Sequence, residues 1–178
     1  LTEIVRVHAK LAGEVAAVGA QAFAEAFAEH NSWSDLVAHL ERRYAPAAVA
    51  ARTGEAACAY FLARDGRGPV GMALLEDGPP SDGATLQQPL PRGGAAQLRE
   101  LYVLARARSA GVGARLLDAV VDEARRRGAR CLWLGVWSEN PRAVRFYRRH
   151  GFAIVGSHTF VLGSDAQRDH VMARALHE

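Results

Sequence analysis

The chain has 178 residues and a mass of 19.2 kDa, a length that fits one domain and needs no disulfide or metal to hold its core. With 49% hydrophobic and 23% charged residues it excludes a disordered chain, a collagen-like repeat and a disulfide scaffold, and no apolar run reaches the length of a membrane span. Charge is split along the chain: residues 1–90 carry 7 positive and 11 negative side chains, a net of −4, and residues 91–178 carry 15 and 8, a net of +7. Such asymmetry suits two unlike ligands, one cationic and one anionic, and it also suits a solvated surface.

In chain order, Glu3–His8 reads as a strand through Ile4, Val5 and Val7. Leu11 to Glu29 reads as a helix, with Val15, Val18, Ala22 and Ala26 on one stripe beside Phe23 and Phe27. The same stretch carries Glu14, Gln21 and Glu25 and lacks signal-peptide features, so a cytoplasmic protein is expected. Ser34 is a candidate cap for a second helix reaching about Glu41. Ala57–Arg64 and Pro69–Glu76 flank Asp65-Gly66-Arg67-Gly68, a strand–turn–strand signal. Asp77 to Ala96 is rich in proline and glycine and shows no period, as a long loop does.

Gln97–Leu104 reads as a strand. It leads into a helix over Gly111–Arg127, where Val112, Leu116, Val120 and Ala124 recur every four residues. Ala129–Trp137 is apolar enough for a strand buried on both faces, with Trp133 and Trp137 in the core. Asn140 and Pro141 supply an N-cap and a first-turn proline for a helix to His150. Phe152–Leu162 and Arg168–Leu176 complete the set, joined by residues 163–167. The order is β-α-α-β-β-β-α-β-α-β-β: a single α/β (α+β) domain over residues 1–178, with a mixed sheet covered by helices on both faces.

Two stretches carry chemistry. Arg108-Ser109-Ala110-Gly111-Val112-Gly113 lies between a strand and a helix start, where glycines admit a ligand to the backbone and free N–H groups bind anions. The dinucleotide fingerprint fails, because Leu116 stands three positions after Gly113. The P-loop fails for want of a lysine, the only one being Lys10. The second stretch runs from Trp137 through Asn140, Ala143, Phe146, Tyr147 and Gly151 to Phe152. Cys58 and Cys131 sit in apolar runs and read as buried thiols, the seven histidines have no metal spacing, and Arg125-Arg126-Arg127 reads as a solvated helix end.

Together these stretches resemble the GNAT superfamily of acyl-CoA-dependent N-acetyltransferases. The Arg-x-x-Gly-x-Gly/Ala motif matches at Arg108–Gly113, and Asn-x-x-Ala-x-x-Phe-Tyr-x-x-x-Gly-Phe matches from Asn140 to Phe152. The resemblance implies a mostly antiparallel splayed sheet, with acetyl-CoA as cosubstrate. It places the pantetheine arm on backbone groups of Tyr102, Val103 and Leu104. The pyrophosphate would lie on Arg108, Ser109, Ala110, Gly111, Val112, Gly113 and Ala114, and Asn140 and Ala143 would face the sulfur end. Tyr147 takes the position of the general acid, and Ala105 departs from the proline many members carry. Glu100 is the candidate general base, against a competing reading as a strand-end glutamate paired with Arg99 or another arginine. Gln97 stands where some relatives have a glutamate.

The run from Trp133 to Asn140, with Val155 to Asp165, Asp169 and Met172, is similar to bacterial spermidine/spermine acetyltransferases of the PaiA type. A polyamine acceptor is therefore expected, held by Phe27, Glu29 and Trp33 with Glu25 and Asp35 nearby; a protein N-terminus or another small amine is the alternative, as is a non-catalytic acyl-CoA sensor. Direct transfer in a ternary complex is expected. No metal, nucleic acid or membrane partner is expected, and a homodimer is left open.

Overall fold

The structure, a computed structural model, describes residues 2–80, 84–162 and 165–176. Its elements are β1 (Glu3–Arg6), α1 (Ala12–Phe27), α2 (Trp33–Tyr44), α3 (Pro46–Thr53), β2 (Cys58–Asp65), β3 (Gly68–Asp77), β4 (Thr85–Leu86), β5 (Gly94–Val103), α4 (Val112–Arg126), β6 (Ala129–Trp137), α5 (Pro141–Arg149), β7 (Ala153–Leu162) and β8 (Asp165–Ala175). One sheet runs in the order β1-β2-β3-β5-β6-β8-β7-β4. Every neighbouring pair is antiparallel except β5–β6, the pair joined through α4. The architecture is one eight-stranded mixed sheet with helices on both faces.

The core follows from the helix stripes. Val112, Leu116, Leu117, Val120, Val121 and Ala124 of α4 are buried on one face against Ala73, Leu75, Leu98 and Leu132. Val15, Ala16, Val18 and Ala22 of α1 are buried on the other against Tyr60, Leu62, Met72 and Leu74. A fully buried leucine on either side contributes about 1.5–3 kcal/mol. Among the described residues no helix is long and apolar enough to cross a membrane.

Several expected elements are corrected. The cap of α2 is Ser32, whose Oγ accepts from the Asp35 amide at 3.2 Å, and α2 continues to Tyr44. Pro46 then opens α3, a helix half of whose residues are alanine and which offers almost no periodic contrast to read. The expected loop 77–96 contains β4 and the start of β5, apart from residues 81–83, which lie outside the described residues. The last junction is tighter than expected, with β7 ending at Leu162 and β8 beginning at Asp165; residues 163 and 164 lie outside the described residues.

The feature that positions the site is a divergence of strands. β5 pairs with β6 only from Gly94↔Ala129 to Gln97↔Trp133. Beyond that point Leu98–Val103 stays with β3, and Leu134–Trp137 stays with β8. A wedge opens between two strands at the centre of the sheet.

Candidate active site

Two cavities, of about 650 and 620 Å³, meet at the wedge. Both are bordered by Leu101 and Tyr102 of β5, Trp137 of β6, Asn140, and Ala143 and Tyr147 of α5. The second cavity continues along Val103 to Arg108, Ser109, Gly111, Gly113 and Ala114, with Arg142 and Arg149. The first runs the other way, between α1, α2 and the start of β5, past Phe23, Phe27, His39, Glu100 and Asp169.

The second cavity has the features of an anion site. Ser109 (φ 68°) and Gly111 (φ 78°) are both left-handed, and they turn the chain so that the free amides of α4 begin directly after Gly111. A Cβ at Gly111 would meet nothing within 4 Å, so glycine is favoured there by its dihedral angle. Gly113 has an ordinary helical conformation, and a Cβ there would touch the Phe146 ring at 3.6 Å. Arg108 donates from Nε to the Val103 carbonyl at 3.1 Å, and Arg142 donates to Ser109 Oγ at 3.3 Å. Three arginines and a helix N-terminus beside an open, elongated cavity fit a phosphorylated thioester such as acetyl-CoA. Asn140 caps α5, its Oδ1 accepting from the Ala143 amide at 3.1 Å, which leaves its NH₂ group for another partner.

Not every expected residue borders this cavity. Leu104 donates its N–H to the Val70 carbonyl at 2.9 Å and buries its side chain under α1. Ala110 and Val112 also lie outside the cavity wall, and Val112 is in the core. Ala105 opens a short 3₁₀ turn and donates its N–H to Glu25 Oε2 at 2.6 Å. A proline at that position could not make this bond, so the alanine ties the loop to α1.

Tyr147 stands where the cavities join. Its side chain is only 8% exposed, packed on Phe146 and Phe152, and burial raises its hydroxyl well above the ordinary phenol value. Among the described residues no group hydrogen-bonds that hydroxyl. Tyr102 next to it is raised in the same direction, by burial first and then by the nearby Glu100 carboxylate.

Glu100 is buried and fully engaged. Arg43 Nε pairs with Oε1, and the Tyr44 hydroxyl donates to Oε2 at 3.1 Å. The partner is Arg43 of α2, not its strand neighbour Arg99. Asp169, which the motif reading left without a role, is the other buried carboxylate of the first cavity, 9% exposed. It lies opposite Trp137 in the β6–β8 register, at the mouth of the wedge. Burial pushes its carboxyl up to about 6, and His158 Nε2 lies 3.7 Å from its Oδ2. His158 itself is lowered by burial and by Arg99, so it is mostly neutral. The local sequence gives Asp169 no role, because its environment is assembled from β6, β7 and β8.

Of the expected acceptor residues, Phe27 borders the first cavity. Glu29 and Trp33, the latter 74% exposed, border neither. Glu25 is engaged by Ala105 and lies 3.8 Å from Arg108. Trp133 is core as expected, but Trp137 faces both cavities. Arg125 and Arg126 are exposed as expected of a solvated helix end, and Arg126 and Arg127 also bind Glu123 of their own helix. Both cysteines are free and buried, burial raises both thiols, and neither borders either of these two cavities. Among the described residues no group of three His, Cys, Asp or Glu could hold a metal.

A splayed sheet with an anion-binding helix start on one side of a buried tyrosine and a second cavity on the other defines an acyl-CoA-dependent transferase. The chain belongs to the Acetyltransferase (GNAT) family, whose model matches residues 20–152, and it is an N-acetyltransferase that uses acetyl-CoA. An uncharacterized N-acetyltransferase of Lactobacillus delbrueckii subsp. lactis is 30% identical over 98% of this chain and 97% of its own. Another, from Mycobacterium tuberculosis, is 34% identical over 93% and 97%. Among solved structures, the PaiA N-acetyltransferase of Thermoplasma acidophilum in complex with coenzyme A aligns with a TM-score of 0.76 over 98% of this chain and 99% of that one, at 16% identity.

Proposed function

We propose that the protein moves the acetyl group directly from acetyl-CoA to a primary amine, with Tyr147 as general acid and Asp169 as general base. The observation that carries this reading is the Tyr147 hydroxyl, without a hydrogen-bond partner among the described residues, where the two cavities join. The thioester binds through Tyr102 and Val103, the loop from Arg108 through Ser109 and Gly111, then Gly113 and Ala114. Its chemistry is an activated acetyl carbonyl with a thiol leaving group.

Loss of a proton from the amine is the demanding step. An alkylamine with a pKa near 10.4 requires roughly 4.6 kcal/mol to be neutral at pH 7. Asp169, ionised above about pH 6 and bordering the cavity, accepts that proton. Glu100 has both oxygens engaged, and we assign it to holding Arg43 and Tyr44 in the wall. The amine nitrogen attacks the carbonyl carbon, the carbon–sulfur bond breaks, and Tyr147, kept protonated by burial, donates toward the departing sulfur. N-acetylamine and free thiol result. Two buried cysteines away from either cavity support direct transfer over an acyl-enzyme.

A polyamine acceptor draws its support from the fold likeness to PaiA, and Phe27 is the one residue expected to hold it that borders the cavity. The reading common to all acceptors is tested by Tyr147→Phe. Turnover should fall by about 10²–10⁴ while coenzyme A affinity measured by calorimetry stays within about twofold. Undiminished turnover in single-turnover kinetics would remove Tyr147 from the chemistry.

A further inference from the structure

The first cavity carries a charge pattern that the proposed transfer chemistry does not use. Arg42 and Arg43 from the end of α2, Arg52 from α3 and Arg99 from β5 all border it. Arg43 is matched by Glu100, and Glu76 lies between Arg43 at 4.0 Å and Arg99 at 3.8 Å. Arg52 reaches only neutral acceptors, the Tyr60 hydroxyl at 2.7 Å and the Arg43 carbonyl at 3.0 Å. Arg42 has no ion pair among the described residues. Four guanidiniums thus face two carboxylates at this end, and they come from three separate elements.

His39, one turn before Arg42 and Arg43 on α2, is lowered to about 4 by burial first and then by those two arginines, so its imidazole adds no charge to the cluster. The cluster is also set apart from the transfer point. Glu100, at the level of Arg43, precedes Tyr102 by two residues of β5, about 7 Å of strand. The acids expected to attract a polycation are elsewhere, Glu25 of α1 bound to the Ala105 amide of the loop after β5 and Glu29 outside both cavities. A second ammonium pointing away from the transfer point would meet like charge, whereas guanidinium pairs match a carboxylate or phosphate in geometry and sign.

We propose that the acceptor is a primary amine whose far end carries a carboxylate or phosphate, with the amine at Asp169 and Tyr147 and the anion against Arg42, Arg52 and Arg99. This rests on the transferase reading above. It names the acceptor as a zwitterion in place of a polycation.

Four amines of matched chain length test it with acetyl-CoA, read as thiol release: hexylamine, 1,6-diaminohexane, 6-aminohexanoate and 6-aminohexyl phosphate. The anionic pair should exceed hexylamine in kcat/KM by about tenfold or more at low salt, the diamine should fall below hexylamine, and the advantage should shrink as salt is raised. Preference for either anion supports the site, and the better of the two identifies the headgroup. Arg42→Gln should reduce that preference about tenfold through KM, with Arg42→Lys restoring part of it. Equal or greater efficiency with hexylamine or the diamine overturns the anion site and leaves the transferase reading standing. No amine-dependent thiol release from any of the four, with coenzyme A still bound, overturns the transferase reading and this proposal with it.

Discussion

Gly113 and Asp169 give the sharpest tests of single side chains. Gly113 is helical, and the space beyond its Cα admits a Cβ at ordinary contact distance from Phe146. An aspartate there sits in the first turn of α4, where negative charge suits the helix dipole, so Gly113→Asp should fold with an unchanged melting temperature. The same carboxylate would compete with the pyrophosphate for the free amides and repel it. Acetyl-CoA binding by calorimetry should be abolished, and retained binding would show that the anion sits elsewhere. Asp169 makes a prediction in pH. Its carboxyl is raised from 3.8 to about 6, so the fold favours the protonated form, and stability relative to Asp169→Asn should fall as pH rises from about 4 to 6. The asparagine variant should therefore be the more stable protein above pH 6. In kcat/KM the wild type should show an inflection near pH 6 that Asp169→Asn lacks, beneath the higher inflection of the amine itself. A profile with the same lower inflection in both proteins would leave the amine's proton to another group.

At the scale of elements, the arginines after α4 clasp the sheet to the helix. Glu123 accepts from Arg126 at 2.7 and 2.8 Å, from Arg127 at 2.8 Å and from Arg6 of β1, and Arg127 reaches on to Asp77 at 3.0 Å. Hydrogen bonding by Arg126 is the largest cause holding Glu123 at about 2, below its ordinary 4.5. A depressed carboxylate stabilises fully above its unfolded value and loses that contribution as pH falls toward the folded one. Glu123→Gln should therefore destabilise by roughly 1.5–3 kcal/mol at pH 6 in urea melts, and the difference should close between about pH 4.5 and 2. A constant difference across that range would show that packing, not charge, is what Glu123 contributes. The three longest helices were legible because their stripes are strong, as in Val112, Leu116, Val120 and Ala124, whereas β4, two exposed residues inside a proline- and glycine-rich stretch, was not. Helix α3 was not, since alanine neither marks a face nor breaks one. The cap of α2 slipped from Ser34 to Ser32 because both serines offer an oxygen, and only the backbone angle of Ser32 makes it a cap.

For the molecule as a whole, the site is a consequence of the sheet coming apart. Gly94–Gln97 and Ala129–Trp133 pair, the strands then diverge, and the two cavities meet on the residues that line the gap. The half of the site that binds the thioester was readable, because a loop with its glycines and the helix it opens are contiguous in sequence. The acceptor half was not. Arg42, Arg43, Arg52 and Asp169 come from three elements that only the folded sheet brings to one cavity. The central claim is that an amine and acetyl-CoA meet at Tyr147 and exchange an acetyl group. Purified protein incubated with acetyl-CoA and a mixed panel of primary amines, followed by simultaneous thiol titration and mass spectrometry, tests it most directly. Amine-dependent thiol release, matched mole for mole by a product heavier by one acetyl group, is the predicted result. Tight coenzyme A binding with no amine-dependent release and no acetylated product would contradict it.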